Sequence, residues 1–401
     1  MNISVKQLFI GALLLCGSLG AAAQSSANAQ ARAQEILGQI KSEMAPDGRQ
    51  IVDGLDAAIN PDGVLVLVGK TSETAVHEAA VAALNAVAAL NAAGIEFADS
   101  SVVFPSDKWA QVRITAASLR TRGAHAAEMA TQALMGTPVR VLEKEPEWWH
   151  VQTPDGYIAW IPSSSVVEKT SAEMNAWRNA RRYIVVNPYQ TRAYVSPEAT
   201  GVREVVTDLV NGCILESPTA RPEISNGRIL LALPDGRKGW VAESDLSPIE
   251  VWAAQDFNPD KILDMAYSTE GSPYLWGGMS AKAMDCSGLV KLSYFASGLI
   301  LMRDASQQAR TGTRIEAEQW RTLQPGDLLF FGRRPAKVTH VAIYDHDGNY
   351  VHSSGRVKRN SVDPDSEAYL TTPFLWAVRI AGNEDTAGIT RARNHRWYFN
   401  L

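Results

Sequence analysis

Tyr274-Leu-Trp-Gly-Gly-Met-Ser-Ala-Lys-Ala-Met-Asp-Cys-Ser-Gly-Leu-Val290 is the stretch on which the reading of this chain turns. Leu289, Val290, Leu292 and Phe295 recur at helical spacing, so Cys286 opens a helix directly after a Gly-Gly loop and Asp285. At that position the unpaired N–H groups and the positive end of the helix dipole favour thiolate, the nucleophilic form of cysteine. Downstream, Val338–Tyr344 and Tyr350–Ser354 read as strands joined by the Asp345–Asn349 loop, a hairpin that sets His340 and His352 on neighbouring strands. The expected roles are Cys286 as nucleophile, His340 as general base and then acid, and His352 as the polar group fixing the His340 tautomer.

Pro273-Tyr-Leu-Trp-Gly-Gly, Asp285-Cys-Ser-Gly-Leu, Leu323-Gln-Pro-Gly-Asp-Leu-Leu-Phe-Phe and Thr339-His-Val-Ala-Ile-Tyr together resemble the NlpC/P60 family of cell-wall peptidases, in order and in spacing. The resemblance covers roughly the last 150 residues, the size of one domain. It implies a papain-like α+β fold, with nucleophile, base and third polar residue falling on Cys286, His340 and His352. It also implies that Tyr274 helps to position the reacting carbonyl.

Outward from this region, composition bounds the rest. The 401 residues carry a net charge of −5, with 46% hydrophobic and 20% charged residues, describing a globular chain long enough for several domains. An acidic balance without basic runs excludes nucleic acid as a partner. Met1–Ala23 has a short basic start, an apolar run and Ala21-Ala-Ala-Gln, which together predict a signal peptide, residues 1–23, and no membrane span in the mature chain. Cys16 follows Leu15, where a lipidation site uses a small residue. Beyond the signal only Cys213 and Cys286 remain, so an exported protein carries no disulfide framework. With no CxxC or HExxH, no metal and no other cofactor is expected. The expected location is the Gram-negative periplasm, with secretion or wall association as alternatives.

Residues 24–107 read as a small α+β unit: an Ala/Gln-rich helix, a hairpin around Asn60-Pro-Asp-Gly63 and a second Ala-rich helix. The middle of the chain is duplicated. Glu128–Gly136 aligns with Glu204–Gly212 at an offset of 76, and Pro154–Trp160 with Pro234–Trp240 at an offset of 80. Short β-rich runs between Gly, Pro and Asp turns suit small barrels resembling bacterial SH3 domains, at residues 108–170 and 183–248, ahead of a catalytic domain at 255–401.

Two such barrels before an NlpC/P60 domain resemble the family's γ-D-glutamyl-diamino acid endopeptidases. That resemblance implies a murein peptide substrate, L-Ala-γ-D-Glu-diamino acid, cleaved after D-Glu. It places Tyr157, Glu128 and Asp285 around the free amino group of L-Ala, because a desolvated ammonium needs carboxylate partners. It places Ser287 on the D-Glu carboxylate and Trp276 as a pocket wall, and draws in Arg303 and Asp304. Where some relatives have a serine after that Arg-Asp pair this chain has Ala305, with Ser306 next to it. The alternatives are an endopeptidase acting on intact peptidoglycan, an acyltransferase using the same triad, and a wall-peptide binding protein.

Overall fold

The computed structural model describes residues 26–90, 95–334 and 337–400. The predicted signal peptide lies outside them. Two compact units divide at Ser106/Asp107.

In the first unit, helices Ser26–Met44 and Thr74–Ala89 pack through Ala33, Ile36, Leu37, Ile40, Ala80 and Leu84 onto Leu65 and Leu67 of a small sheet. Asp56–Ile59 and Leu65–Val68 pair antiparallel around the Asn60-Pro-Asp-Gly turn. Phe97–Asp99 joins Leu65–Val68 in parallel, which requires the intervening helix as a crossover.

The second unit contains both barrels and the catalytic domain. Among the described residues, the strands of the first barrel lie in the spatial order 166–169, 109–112, 138–144, 148–152, 158–162, 116–120, 129–134. The second repeats that order as 246–248, 182–185, 214–216, 228–232, 238–242, 190–194, 205–210. Its extra short strand, Ile224–Ser225, pairs with Arg228–Ile229 and lies where the repeat offset grows from 76 to 80. Alternation along the strands buries Val112, Leu119, Val151 and Ile161 in one core and Leu209, Leu215, Leu231 and Val241 in the other. Each fully buried aliphatic side chain stabilises its barrel by roughly 1.5–3 kcal/mol.

The repeated Pro-Asp-Gly turn is also a docking device. In the first barrel, the Pro154 carbonyl accepts from His395 Nε2 at 2.8 Å and Asp155 pairs with Lys291 of the catalytic domain at 2.6 Å. In the second, Pro234 accepts from Lys169 Nζ at 3.1 Å and Asp235 pairs with Arg113 of the first barrel at 3.1 Å. The same turn thus fixes the second barrel to the first and the first to the catalytic domain. Gly136, at φ +82°, lies so close to the second barrel that a Cβ there would sit 2.0 Å from the Ile214 carbonyl.

In the catalytic domain the elements are α1 (Cys286–Ala296), β1 (Thr313–Glu316), β2 (Leu328–Phe331), β3 (His340–Tyr344), β4 (Asn349–Ser354), β5 (Arg356–Ser361) and β6 (Phe374–Arg379). The sheet order is β1-β6-β2-β3-β4-β5. Helix α1 is buried from Cys286 to Tyr294, on every face, and Leu289, Val290 and Leu292 pack with Phe330, Val341 and Ile343 of the sheet. The helix is interior, with its apolar residues on the sheet and Lys291 paired to Asp155, so Cys286 is held against the strand that carries His340.

Candidate active site

Asp285 caps α1. Its backbone is extended, at φ −87° and ψ −177°, and its carboxylate accepts the Gly288 N–H at 2.7 Å. A Cβ on Gly288 would lie 2.0 Å from the Gly278 carbonyl, so the Gly-Gly loop can close over the helix start only on a glycine. Cys286 follows, 7% exposed. Burial pushes its thiol up to about 11, and the Asp285 charge pushes the same way. The Val341 and Ser287 amides and Arg303 oppose them. In the unliganded site burial and Asp285 thus outweigh the helix end and act against the thiolate expected from the sequence.

His340 and His352 occupy one face of the sheet. His340 Nε2 lies 2.7 Å from His352 Nδ1, and His352 Nε2 lies 2.9 Å from Asn360 Oδ1. With Nε2 engaged, Nδ1 is the His340 nitrogen left for proton transfer. Burial drives His340 down to about 3, with His352 and the Lys358 charge adding to it. Burial likewise drives the fully buried His352 down to about 4, against the bond to Asn360. Both rings are neutral at physiological pH. Tyr274 lies beside the nucleophile, its hydroxyl held protonated by burial and the nearby Cys286 and Asp285.

Arg303, expected among the substrate contacts, is held by the protein itself. Arg303 is 1% exposed and all five of its N–H groups are engaged: Nε with Thr131 Oγ1 at 2.9 Å, and the others with Asp285, Ser287 Oγ and the Gly278 carbonyl. It is a strut between the first barrel and the helix start. Asp285, expected at the substrate's ammonium, accepts within the protein from Gly277 N, Gly288 N and both Arg303 terminal nitrogens.

Tyr157 instead donates to Asp304 Oδ2 at 3.3 Å, across the seam between barrel and catalytic domain. Glu128 is exposed just ahead of the strand Met129–Leu134, whose Gln132 accepts the Met279 N–H at 2.9 Å. Ser287 Oγ is buried between Arg303 and Asp285. Trp276, 59% exposed, stands at the rim. Ser306 lies in the short helix Ala305–Gln308 capped by Asp304. Sequence reasoning missed Thr131 and Asn360, which reach the site only through strand pairing. Among the described residues no group of His, Cys, Asp and Glu is placed to hold a metal ion.

A buried cysteine at a helix start, facing a sheet that carries a coupled histidine pair, defines a papain-like thiol hydrolase. The NlpC/P60 family pattern matches residues 271–379, and that of the bacterial dipeptidyl-peptidase SH3 domain matches residues 119–166. The probable endopeptidase NlpC of Escherichia coli is 38% identical over 123 residues, covering 30% of this chain and 76% of that protein. The gamma-D-glutamyl-L-lysine dipeptidyl-peptidase of Bacillus cereus is 29% identical over 267 residues, covering 63% of this chain and 75% of that one. A crystal structure of an NlpC/P60 family protein from Bacillus cereus shares the fold with a TM-score of 0.56 at 22% identity, covering 68% of this chain and 99% of its own. The chain belongs to the NlpC/P60 family of cysteine peptidases. No helix among the described residues is long and apolar enough to cross a membrane.

Proposed function

We infer that the protein is an exported endopeptidase that hydrolyses the γ-D-glutamyl-diamino acid bond of murein peptides bearing a free N-terminal L-Ala. The observation that carries this reading is the pairing of Tyr157 with Asp304, which brings a barrel residue and a carboxylate together beside the Arg303–Asp285 network. Asp304, with the exposed Glu128, is the acidic partner for the L-Ala ammonium. A carboxylate there rejects an amide, so glycan-linked stems are poor substrates. The Bacillus cereus relative's named activity is of the same type. The predicted signal peptide supports action in the periplasm or at the wall.

In the first half-reaction the Cys286 sulfur attacks the γ-carbonyl while its proton passes to His340 Nδ1. As the C–N bond breaks, the same proton goes to the departing amine. Water then adds to the thioester carbonyl, giving its proton to Nδ1. The S–C bond breaks and the sulfur regains that proton. The amides at the start of α1 face the developing oxyanion, and donors so placed contribute on the order of 3 kcal/mol.

The test is mass spectrometry of products from L-Ala-γ-D-Glu-meso-diaminopimelate and its N-acetylated form. Release of L-Ala-D-Glu from the free peptide alone is expected, and no release from either with Cys286→Ala. Equal cleavage of both peptides would replace this reading with an enzyme of intact wall.

A further inference from the structure

The triad does not end at His352. His340, His352 and Asn360 step diagonally across three adjacent strands, β3, β4 and β5. Ile343 faces Val351 across the first pair, and His352 faces Lys358 across the second, with Tyr350 opposite Asn360. Period-two alternation then sets His352 and Asn360 on one face as diagonal neighbours. The Asn360 amide has a fixed orientation, because its Nδ2 donates to the Ala368 carbonyl at 2.9 Å and a carbonyl can only accept. The atom turned toward His352 is therefore the acceptor Oδ1, at 2.9 Å.

Proton positions follow by elimination. A neutral imidazole carries one N–H. Facing an acceptor, His352 carries it on Nε2, so His352 Nδ1 is a bare acceptor. His340 Nε2, 2.7 Å away, must then be the donor, which leaves His340 Nδ1 without a proton. The reverse arrangement would set Asn360 Oδ1 against a bare Nε2, two acceptors in contact inside a site where water cannot intervene. An unmade bond of that kind biases the pair about tenfold or more toward the productive tautomer.

We propose that Asn360, anchored by the Ala368 carbonyl, is a positioning residue that sets the tautomers of both histidines and so keeps His340 Nδ1 bare as the base for Cys286. The assignment builds on the thiol-hydrolase reading of the site and is independent of the identity of the peptide. The titratable groups around the pair are Tyr350 on β4, its ring 5.1 Å from that of His352, and Lys358 on β5. The Lys358 charge disfavours either imidazolium, so the chain works as two neutral rings.

The direct test is nitrogen-15 NMR of the two histidines in the full-length protein at neutral pH, with His340→Gln and His352→Gln supplying the assignments. Both rings are expected as Nε2–H tautomers, and an Nδ1–H signal from His340 would overturn the proposal. The second test is the pH dependence of Cys286 carboxamidomethylation by iodoacetamide, located by mass spectrometry, which needs no substrate. Asn360→Leu, similar in volume, should give mixed tautomers and roughly twofold slower alkylation near neutral pH, because the base is misprotonated in about half of the population. Asn360→Asp keeps an acceptor and adds charge, so its acid limb should move to higher pH. A packing residue would slow both variants without moving that limb or the NMR tautomers, and that result would also overturn the proposal. Failure of the peptide assay alongside the expected tautomers would count against the substrate assignment alone.

Discussion

Lys291→Met tests how firmly the first barrel is held to the catalytic helix. Lys291 lies on α1, five residues beyond the nucleophile, and its ammonium meets Asp155 of the first barrel at 2.6 Å with side-chain exposures of 9% and 1%. Burial pushes the lysine down from its ordinary range, while Asp155 pulls it back. Methionine fills similar volume and removes the charge, leaving Asp155 with the Thr153 hydroxyl at 2.6 Å. Removing one member of a buried pair typically costs about 3–5 kcal/mol, because the other charge stays desolvated. At roughly 2–4 °C per kcal/mol, Tm should fall by the order of 10 °C. Asp155→Asn combined with Lys291→Met removes both charges and should recover most of that loss. The assay is urea denaturation followed by tryptophan fluorescence, with calorimetry in parallel. A single variant that loses less than about 1 kcal/mol, or a double variant no better than the single, would refute the argument that this pair carries the docking.

Three further outcomes are expected. Thr131→Val leaves Arg303 Nε buried without its acceptor, so about 1–3 kcal/mol of stability should be lost in denaturation, and kcat should fall more than KM rises because Asp285 loses its brace. Stability should decline in acid. Unfolded histidines take up protons below about 6.5 that folded His340 and His352 refuse until about 3 and about 4, so acid favours the unfolded chain. The slope is at most about 1.4 kcal/mol per pH unit for each histidine, and His352→Gln should flatten it in pH-dependent denaturation. Iodoacetamide alkylation of Cys286 in the unliganded protein should keep rising past pH 9, as a thiol raised to about 11 requires, and a plateau reached below pH 7 would show a thiolate at rest.

The sequence made the duplication and the reactive cluster legible because both are local. The offsets of 76 and 80 came from aligned turns, and the four-residue difference marked where the second barrel adds Ile224–Ser225. Cys286, His340 and His352 announce themselves through a helix start and a hairpin. Asn360 and Thr131 do not. Each is an ordinary polar strand residue whose meaning depends on which strand lies alongside and in what register. Arg303 was found, but its bracing bonds to Thr131 and Asp285 were not, because nothing in a linear sequence counts the acceptors around a guanidinium.

The ionisation of the nucleophile shows why magnitude matters more than motif. A helix N-terminus offers a nearby negative charge about 0.3–1 kcal/mol at a surface and up to about 2 when partly buried. Against it stand the desolvation of a sulfur 7% exposed and the Asp285 carboxylate next to it, which outweigh the Val341 and Ser287 amides and Arg303 and leave the thiol raised to about 11. The helix therefore reduces the cost of charging the sulfur without reversing it. Asp285 is needed where it is, as cap and as partner of Arg303, so its repulsion is a consequence of building the loop. A nucleophile kept neutral at rest must lose its proton during attack, and the rate then depends on a base that is bare at the right nitrogen at that moment. That requirement passes from Cys286 to His340 and, through two hydrogen bonds, to an asparagine two strands away.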